Sequence, residues 1–234
     1  MTRRSIVGAP VAILASIALA GSALAAFAGA TNGSFEAGNY VENGPGWEML
    51  TAPSTEITGW TVSSGSVDWI GLLWQAKDGS KSIDLDGNAP GAISQNLATT
   101  IGNTYSVSFY LSGNSNGGTT VKTLIVSATG TAPATYTFDA STISNSAMGW
   151  RLESYSFVAT SATSTLTFAS GDADGAYGPA LDNVVVTETA VVETDCKDGG
   201  WQTMTDAQGN GFKNQGDCVS YFATDGRNPG AVRP

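Results

Sequence analysis

Apolar and polar residues alternate most regularly over residues 105–112, where Tyr105, Val107, Phe109 and Leu111 occupy every second position. A period of two is typical of a β-strand with one buried face. Shorter patterns of this kind, bounded by Gly, Asn, Ser or Asp, predict further strands at residues 61–70, from 92 onward, and at 121–128, 136–138, 150–159, 164–169 and 180–187. No segment has an apolar period of 3.6, so the pattern predicts an all-β protein, an antiparallel β-sandwich of jelly-roll type.

The segment at residues 79–87 combines this alternation with acidic side chains. Ile83 and Leu85 alternate with Ser82, Asp84 and Asp86, so one face of the segment is apolar and the other carries two carboxylates. A tryptophan-rich run at residues 68–74 precedes it. Carboxylates beside aromatic rings favour a ligand site here.

The beginning of the folded part and its longest connection are less regular. Asn32 to Glu36 predict a short first strand with Phe35 pointing inward. Residues 37–59 are rich in Gly, Pro, Asn and Thr and are typical of a long loop. Trp47 and Trp60 are interpreted as its buried anchors.

The first 25 residues have the pattern of a secretory signal peptide. Arg3 and Arg4 form the charged start, residues 6–19 the apolar core, and Ala23-Leu24-Ala25 the cleavage pattern, which predicts a mature start near Ala26. The alternative is a membrane anchor, but about 14 apolar residues are fewer than the ~20 of a spanning helix. We therefore expect an exported protein, secreted or extracellular, without a membrane span in the mature chain.

The end of the chain differs in composition from the part before it. Residues 189–194 are interpreted as a linker, and residues 195–229 are Gly-rich and contain both cysteines. In an exported chain, Cys196 and Cys218 predict a disulfide, which would stabilise a separate small module by roughly 3 kcal/mol.

Charge and composition exclude several classes of function. The net charge of −10 becomes −12 when removal of the signal takes away Arg3 and Arg4 and no acidic residue. This acidity argues against nucleic acid and anionic membranes as partners, and it is compatible with cation binding. The chain has no histidine, which removes Ser-His-Asp and Cys-His mechanisms. Catalysis would need a pair of carboxylates, and among 20 acidic residues some pair always looks suitable.

Four ordered motifs carry a family resemblance. They are NGSFE at 32–36, VDWIGLLWQAKDGSKSIDLDG at 67–87, GNTYSVSFYLSGN at 102–114 and GPALDNVVV at 178–186. Together they resemble the bacterial choice-of-anchor C family, a relative of plant cell-wall proteins with domain of unknown function 642. The resemblance covers residues 31–188 and implies a galactose-binding-like β-sandwich associated with cell-wall polysaccharides. The tail is similar to a cysteine-containing motif at the C-terminus of many secreted bacterial proteins.

The candidate ligand-binding residues are Trp69, Trp74, Tyr177, Asp84 and Asp86. Sugar rings stack on indole, and their hydroxyl groups need acceptors such as carboxylates. Trp74 follows Leu72 and Leu73 in a stretch without alternation, which predicts a partly exposed loop position. For Trp69, packing in the core is the alternative.

Glu36 and Asp182 are the candidate ligands of a structural Ca²⁺. The first and last strands of a jelly roll are commonly neighbours, so these carboxylates can converge, with backbone carbonyls completing the six to eight oxygens that calcium needs. The alternative is that Glu36 is solvated and that Asp182 belongs to a turn.

These observations predict a secreted, non-catalytic module that binds a polysaccharide or other glycan. The second hypothesis is a structural or adhesive surface protein, which binds a protein or a cell-envelope partner through the sandwich or the tail. An enzyme acting on polysaccharide is the third.

Overall fold

The structure is a computed structural model that describes residues 27–173, 175–190, 193–206, 208–224, 226 and 228. The predicted signal peptide lies outside the described residues. None of the helices within these described ranges is long and apolar enough to cross a membrane.

In the described part of the chain, eleven strands form two antiparallel sheets that pack face to face as a β-sandwich, as predicted. The six-stranded sheet has the order β1-β3-β4-β11-β6-β9, and the five-stranded sheet has the order β2-β5-β10-β7-β8. The strands are β1 Trp47–Thr51, β2 Thr61–Ser64, β3 Ser66–Ile70, β4 Ser82–Asp84, β5 Ala92–Ala98, β6 Thr104–Gly113, β7 Val121–Ala128, β8 Ala134–Asp139, β9 Arg151–Val158, β10 Thr163–Ser170 and β11 Pro179–Thr189.

The apolar and polar residues that alternate in the sequence lie on opposite sides of the strands. Val107, Phe109 and Leu111 of β6 are fully buried in the core between the sheets, with Leu124 of β7 and Phe168 of β10. The polar residues between them point away from this core. Burial of the apolar faces is therefore what joins the two sheets.

Three local predictions were wrong. Residues 37–59 are not all loop, because β1 pairs there with β3. Phe35 is buried as expected, but it lies in a turn with a φ of +59° rather than in a strand. The single strand predicted at 61–70 is divided at Gly65, where a φ of +55° turns the chain from one sheet to the other.

A second, smaller core covers part of the outer face of the six-stranded sheet, the face that points away from the main core. Ile70, Trp74, Met148 and Ala180 are buried in it, and four other side chains pack against them. Trp74 and Met148 come from loops, so these loops lie flat on the sheet. The outer face is therefore only partly open to solvent.

The tail contains 3-10 helices at Glu193–Cys196 and Gly200–Gln202 and the helix α1 at Gln215–Ala223. The predicted disulfide between Cys196 and Cys218 is confirmed. Its buried cluster also contacts Ile101, in the turn between β5 and β6. The tail therefore packs against the sandwich. Of the predicted linker, Thr189 belongs to β11, while residues 191 and 192 lie outside the described residues.

Candidate functional site

A pocket of about 380 Å³ opens on the outer face of the six-stranded sheet, beside the second core. Six segments of the chain surround it. They are the loop before β1 with β1 itself, β3, the turn after β6, and the three loops that contain Leu73, Asn88 and Tyr177. Its lining residues are Pro45, Trp47, Met49, Asp68, Leu73, Gly87, Asn88, Asn114, Asn116, Ala176 and Tyr177. We call it the outer-face pocket.

Strand register explains why an acidic side chain lies in this pocket. Met49, Asp68, Asp84, Ala180 and Ser112 form a row of cross-strand neighbours over five strands. Residues directly opposite each other in paired strands point to the same side. Since the residues that alternate with this row lie in the main core, the row points outward.

Asp84 lies fully buried behind the pocket and ties three segments together. Its Oδ1 accepts hydrogen bonds from the backbone N–H of Gly178 (2.9 Å) and of Asp86 (3.0 Å), and its Oδ2 accepts one from Asn114 Nδ2 (2.8 Å). A Cβ at position 178 would lie 2.8 Å from Asp84 Oδ1 and 2.7 Å from Asp86 Cγ, so only glycine fits there. Burial raises the pKa of Asp84 to about 8, against the opposing effect of these hydrogen bonds.

Asp68 is the carboxyl group that reaches the pocket. Its Oδ1 is enclosed, with no hydrogen-bond partner among the residues that the structure describes. Burial, followed by the charge of Asp86, raises the pKa of Asp68 to about 7. The residue as a whole is half-buried and lines the pocket, so its carboxyl group is placed to accept a hydrogen bond from a ligand there.

Lys122 holds two walls of the pocket in place. Its side chain is fully buried, and its Nζ donates hydrogen bonds to the carbonyl oxygens of Gly117 (2.9 Å) and Tyr177 (2.5 Å). These carbonyls belong to the turn after β6 and to the loop before β11. The lysine therefore joins the segment that carries Asn116 to the one that carries Tyr177.

Two aromatic side chains and three amides complete the lining. Trp47 is half-buried, and Tyr177 is 37% exposed. A Cβ at Gly117 would lie 2.7 Å from the Tyr177 ring, so the ring packs closely on this glycine. Asn88, Asn114 and Asn116 add amide groups that both donate and accept hydrogen bonds.

The structure places only some of the predicted ligand residues in this pocket. Tyr177 lines it, whereas Asp84 and Asp86 are both fully buried behind it. Trp69 is a core residue, fully buried, with its Nε1 donating to the carbonyl oxygen of Phe35 (3.0 Å).

The predicted exposure of Trp74 was wrong. Trp74 borders an open hollow at residues 71–80, but it is only 5% exposed, and its Nε1 donates to Ser82 Oγ (2.8 Å). The loop lies flat on the sheet because the outer face of β3 and β11 is apolar at Ile70 and Ala180. A sugar ring has no free indole face to stack on at this position.

Glu36 and Asp182 both accept hydrogen bonds from the loop at residues 77–81. Glu36 accepts hydrogen bonds from the N–H groups of Ser80 (2.7 Å) and Lys81 (2.6 Å) and from Ser80 Oγ (2.8 Å). Asp182 accepts from the N–H groups of Lys77 (2.7 Å), Asp78 (3.0 Å) and Asn183 (2.6 Å).

In this arrangement the hydrogen bonds would compete with the predicted calcium ion for the carboxylate oxygens. Each carboxylate oxygen already accepts a hydrogen bond, and a calcium ion would need these oxygens as ligands. Nowhere in the described part of the chain do three or more acidic, cysteine or histidine side chains form a group that could hold a metal ion. Calcium binding by the two residues stays a prediction.

Sequence reasoning missed Trp47, Asp68 and the three asparagines. Trp47 was missed because Gly44, Pro45 and Gly46 precede it, and these residue types are typical of a loop. The sequence did contain a signal for Asp68. It alternates with Val67 and Trp69 in the same way as Asp84 alternates with Ile83 and Leu85.

Several solved structures are similar to this chain. A carbohydrate-binding module, CBM35 from Paenibacillus barcinonensis, is 20% identical with a TM-score of 0.41, covering 61% of this chain and 99% of that one. The CBM22-1 xylan-binding domain of Xyn10C from the same organism is 16% identical with a TM-score of 0.42, covering 60% and 92%. TmCBM61, solved in complex with β-1,4-galactotriose, is 16% identical with a TM-score of 0.39, covering 68% and 96%.

Sequence comparison finds a relative and a family. The chain is 36% identical over 168 residues to halomucin from Haloquadratum walsbyi; the match covers 68% of this chain and spans 2% of halomucin's length. Residues 30–187 match the family model described as protein of unknown function (DUF642). The narrower resemblance to choice-of-anchor C proteins stays a prediction. Since the model covers most of the β-sandwich, the chain belongs to the DUF642 family.

Proposed function

We propose that the chain is an exported, non-catalytic carbohydrate-binding domain and that the outer-face pocket holds one or two sugar units of a glycan. One observation carries this proposal: two aromatic rings, three amides and the half-buried carboxyl group of Asp68 meet in one pocket of about 380 Å³. Sugars bind in this way, through stacking on aromatic rings and through hydroxyl hydrogen bonds to acceptors. The volume is at the small end of the roughly 300–1,000 Å³ range of ligand pockets.

The positions of the carboxyl groups support binding rather than turnover. Acid and base catalysis of glycoside hydrolysis needs two carboxyl groups that both reach the substrate. Of the described residues lining the pocket, Asp68 is the one carboxylic acid, while Asp84 and Asp86 are covered by protein. Export is supported by the disulfide of the tail, since such bonds persist in oxidising compartments.

Calorimetric titration with a panel of soluble oligosaccharides tests the proposal, with two tryptophan variants as a matched pair. Trp47 and Trp150 are both half-buried and both pack against the second core, but only Trp47 lines the pocket. Trp47→Ala should weaken the best ligand about tenfold, the loss of one aromatic contact of roughly 1.5 kcal/mol. Trp150→Ala should bind like the wild type. Equal effects of the two variants, or cleavage of the oligosaccharide, would contradict the proposal.

A further inference from the structure

The described side chains that line the outer-face pocket include an acidic group and no basic one. Of the described residues that line it, none is basic, and the ionisable ones are Asp68 and Tyr177. Asp84 lies directly opposite Asp68 on the neighbouring strand, and Asp86 is close enough to raise the pKa of Asp68 through its charge. A ligand in this pocket therefore faces Asp68, with two further carboxyl groups buried behind it. Lys122 is also buried behind the pocket wall, with its Nζ bonded to the carbonyl oxygens of Gly117 and Tyr177, so it is not part of the lining.

This arrangement separates two classes of sugar that have similar shapes. A neutral sugar presents hydroxyl groups, which can donate to Asp68 and to the amide oxygens. A uronate presents a carboxylate, which would have to lose water next to Asp68 without a basic side chain in the described pocket lining to pair with it. The amides cannot compensate, because they carry no charge.

We infer that Asp68 is a specificity-determining residue, which makes the pocket select neutral sugar units and reject uronates. This inference rests on the proposed function, since it concerns the same pocket. Asp68 acts in two ways: it accepts a hydrogen bond from a hydroxyl group of the neutral sugar, and its negative charge repels the carboxylate of the acidic one.

Ionisation of Asp68 gives the selectivity a pH dependence. Burial and Asp86 raise the pKa of Asp68 to about 7, and burial raises that of the opposite Asp84 to about 8. A uronate, with an ordinary carboxyl pKa of about 3–4, is ionised throughout the neutral range. Discrimination between the two sugars should therefore increase as the pH rises from about 5 to about 8.5, since the charge in the pocket increases.

The test is calorimetric titration of the full mature chain with pairs of oligosaccharides. Each pair differs only in having CH₂OH or COO⁻ at C6, in the gluco, galacto and manno series. At pH 8.5 the wild type should bind the neutral member of the preferred series at least about tenfold more tightly than the acidic one. Asp68→Asn keeps the size of the side chain and removes its charge, so the preference should fall to about threefold or less and lose most of its pH dependence.

A second variant, Asn116→Lys, places a cation at the exposed rim and should improve uronate binding even if Asp68→Asn folds poorly. Tight uronate binding by the wild type would overturn the inference and leave the proposed function in place. A preference that is unchanged in Asp68→Asn would also overturn it. Failure of every oligosaccharide to bind would instead contradict the proposed function, and the inference with it.

Discussion

Single buried carboxyl groups set the electrostatics of the outer face. Asp84 is fully buried, and its three hydrogen bonds do not fully offset the loss of water around it. In the unfolded chain this group has an ordinary pKa of 3.8, and in the folded chain it is about 8. Between these values the folded chain binds more protons than the unfolded chain.

This difference predicts that the free energy of unfolding falls as the pH rises. The contribution of Asp84 is fully present below about pH 4 and is lost as the pH rises through about 8, with a slope of about 1.4 kcal/mol per pH unit. Urea unfolding at several pH values between 5 and 8 measures it. Asp84→Asn should flatten the curve, while Glu56→Gln, which changes an exposed carboxyl group, should not. A wild-type stability that rises over this interval would contradict the raised pKa.

The tryptophans show what residue patterns can and cannot predict. The general tendency of large aromatic side chains to be buried correctly indicated a core position for Trp69 as the alternative to a ligand contact. Trp74 was misplaced because a stretch without alternation looks the same whether its loop extends into solvent or covers a sheet. The difference depends on Met148 and Trp150, about 75 residues away in the chain, which no local pattern reveals.

At the scale of elements, most strands were predictable because each buries one face. β6 and β11 show this best, since their alternating faces are fixed by the main core. β1 was not predicted because Gly and Pro surround it and because its outward residues, Trp47 and Met49, are themselves apolar. Trp47 and Met49 of β1 line the outer-face pocket, so the features that hid β1 also hid this wall of the pocket.

Lys122 connects the turn after β6 to the loop before β11, and the pocket depends most on this connection. Lys122→Met keeps an apolar stem but leaves the carbonyls of Gly117 and Tyr177 without this donor. We expect the free energy of unfolding to fall by roughly 1–3 kcal/mol, the cost of unsatisfied buried acceptors. Oligosaccharide affinity should fall as well, because the Tyr177 wall loses its anchor. Urea unfolding and calorimetric titration measure the two effects.

Lys81→Met is the matched control for this lysine. Lys81 Nζ lies 4.5 Å from the centroid of the Tyr40 ring, a half-exposed contact whose loss should cost about 1 kcal/mol or less. Lys81 does not line the pocket, so sugar binding should not change. If the two variants behaved alike, Lys122 would have no special role in organising the site.

At the scale of the whole molecule, the composition of the sequence predicted a β-sandwich and a separate tail, but not the contact between them. The strand alternation stops at residue 189, and the disulfide closes a Gly-rich tail beyond it. The contact between the tail and Ile101 could not be predicted, since neither segment has a pattern that specifies a partner. At Gly102 an added Cβ would lie 2.8 Å from the Phe222 ring, so α1 packs closely on this turn.

We expect the sandwich to fold without the tail, because every strand lies before it in the described part of the chain. A chain that ends at Ala190 keeps β11 whole and loses the contacts of Ile101 and Gly102 with the tail. Its unfolding in urea should stay cooperative, with a free energy lower by about 1–2 kcal/mol, the value of partly burying one isoleucine. Phe222→Ala in the full chain should reproduce part of this loss without removing any backbone. A truncated chain that unfolds without a cooperative transition would show that the tail is part of the folding unit. If oligosaccharide binding disappeared with the tail, the outer-face pocket would not be sufficient for binding.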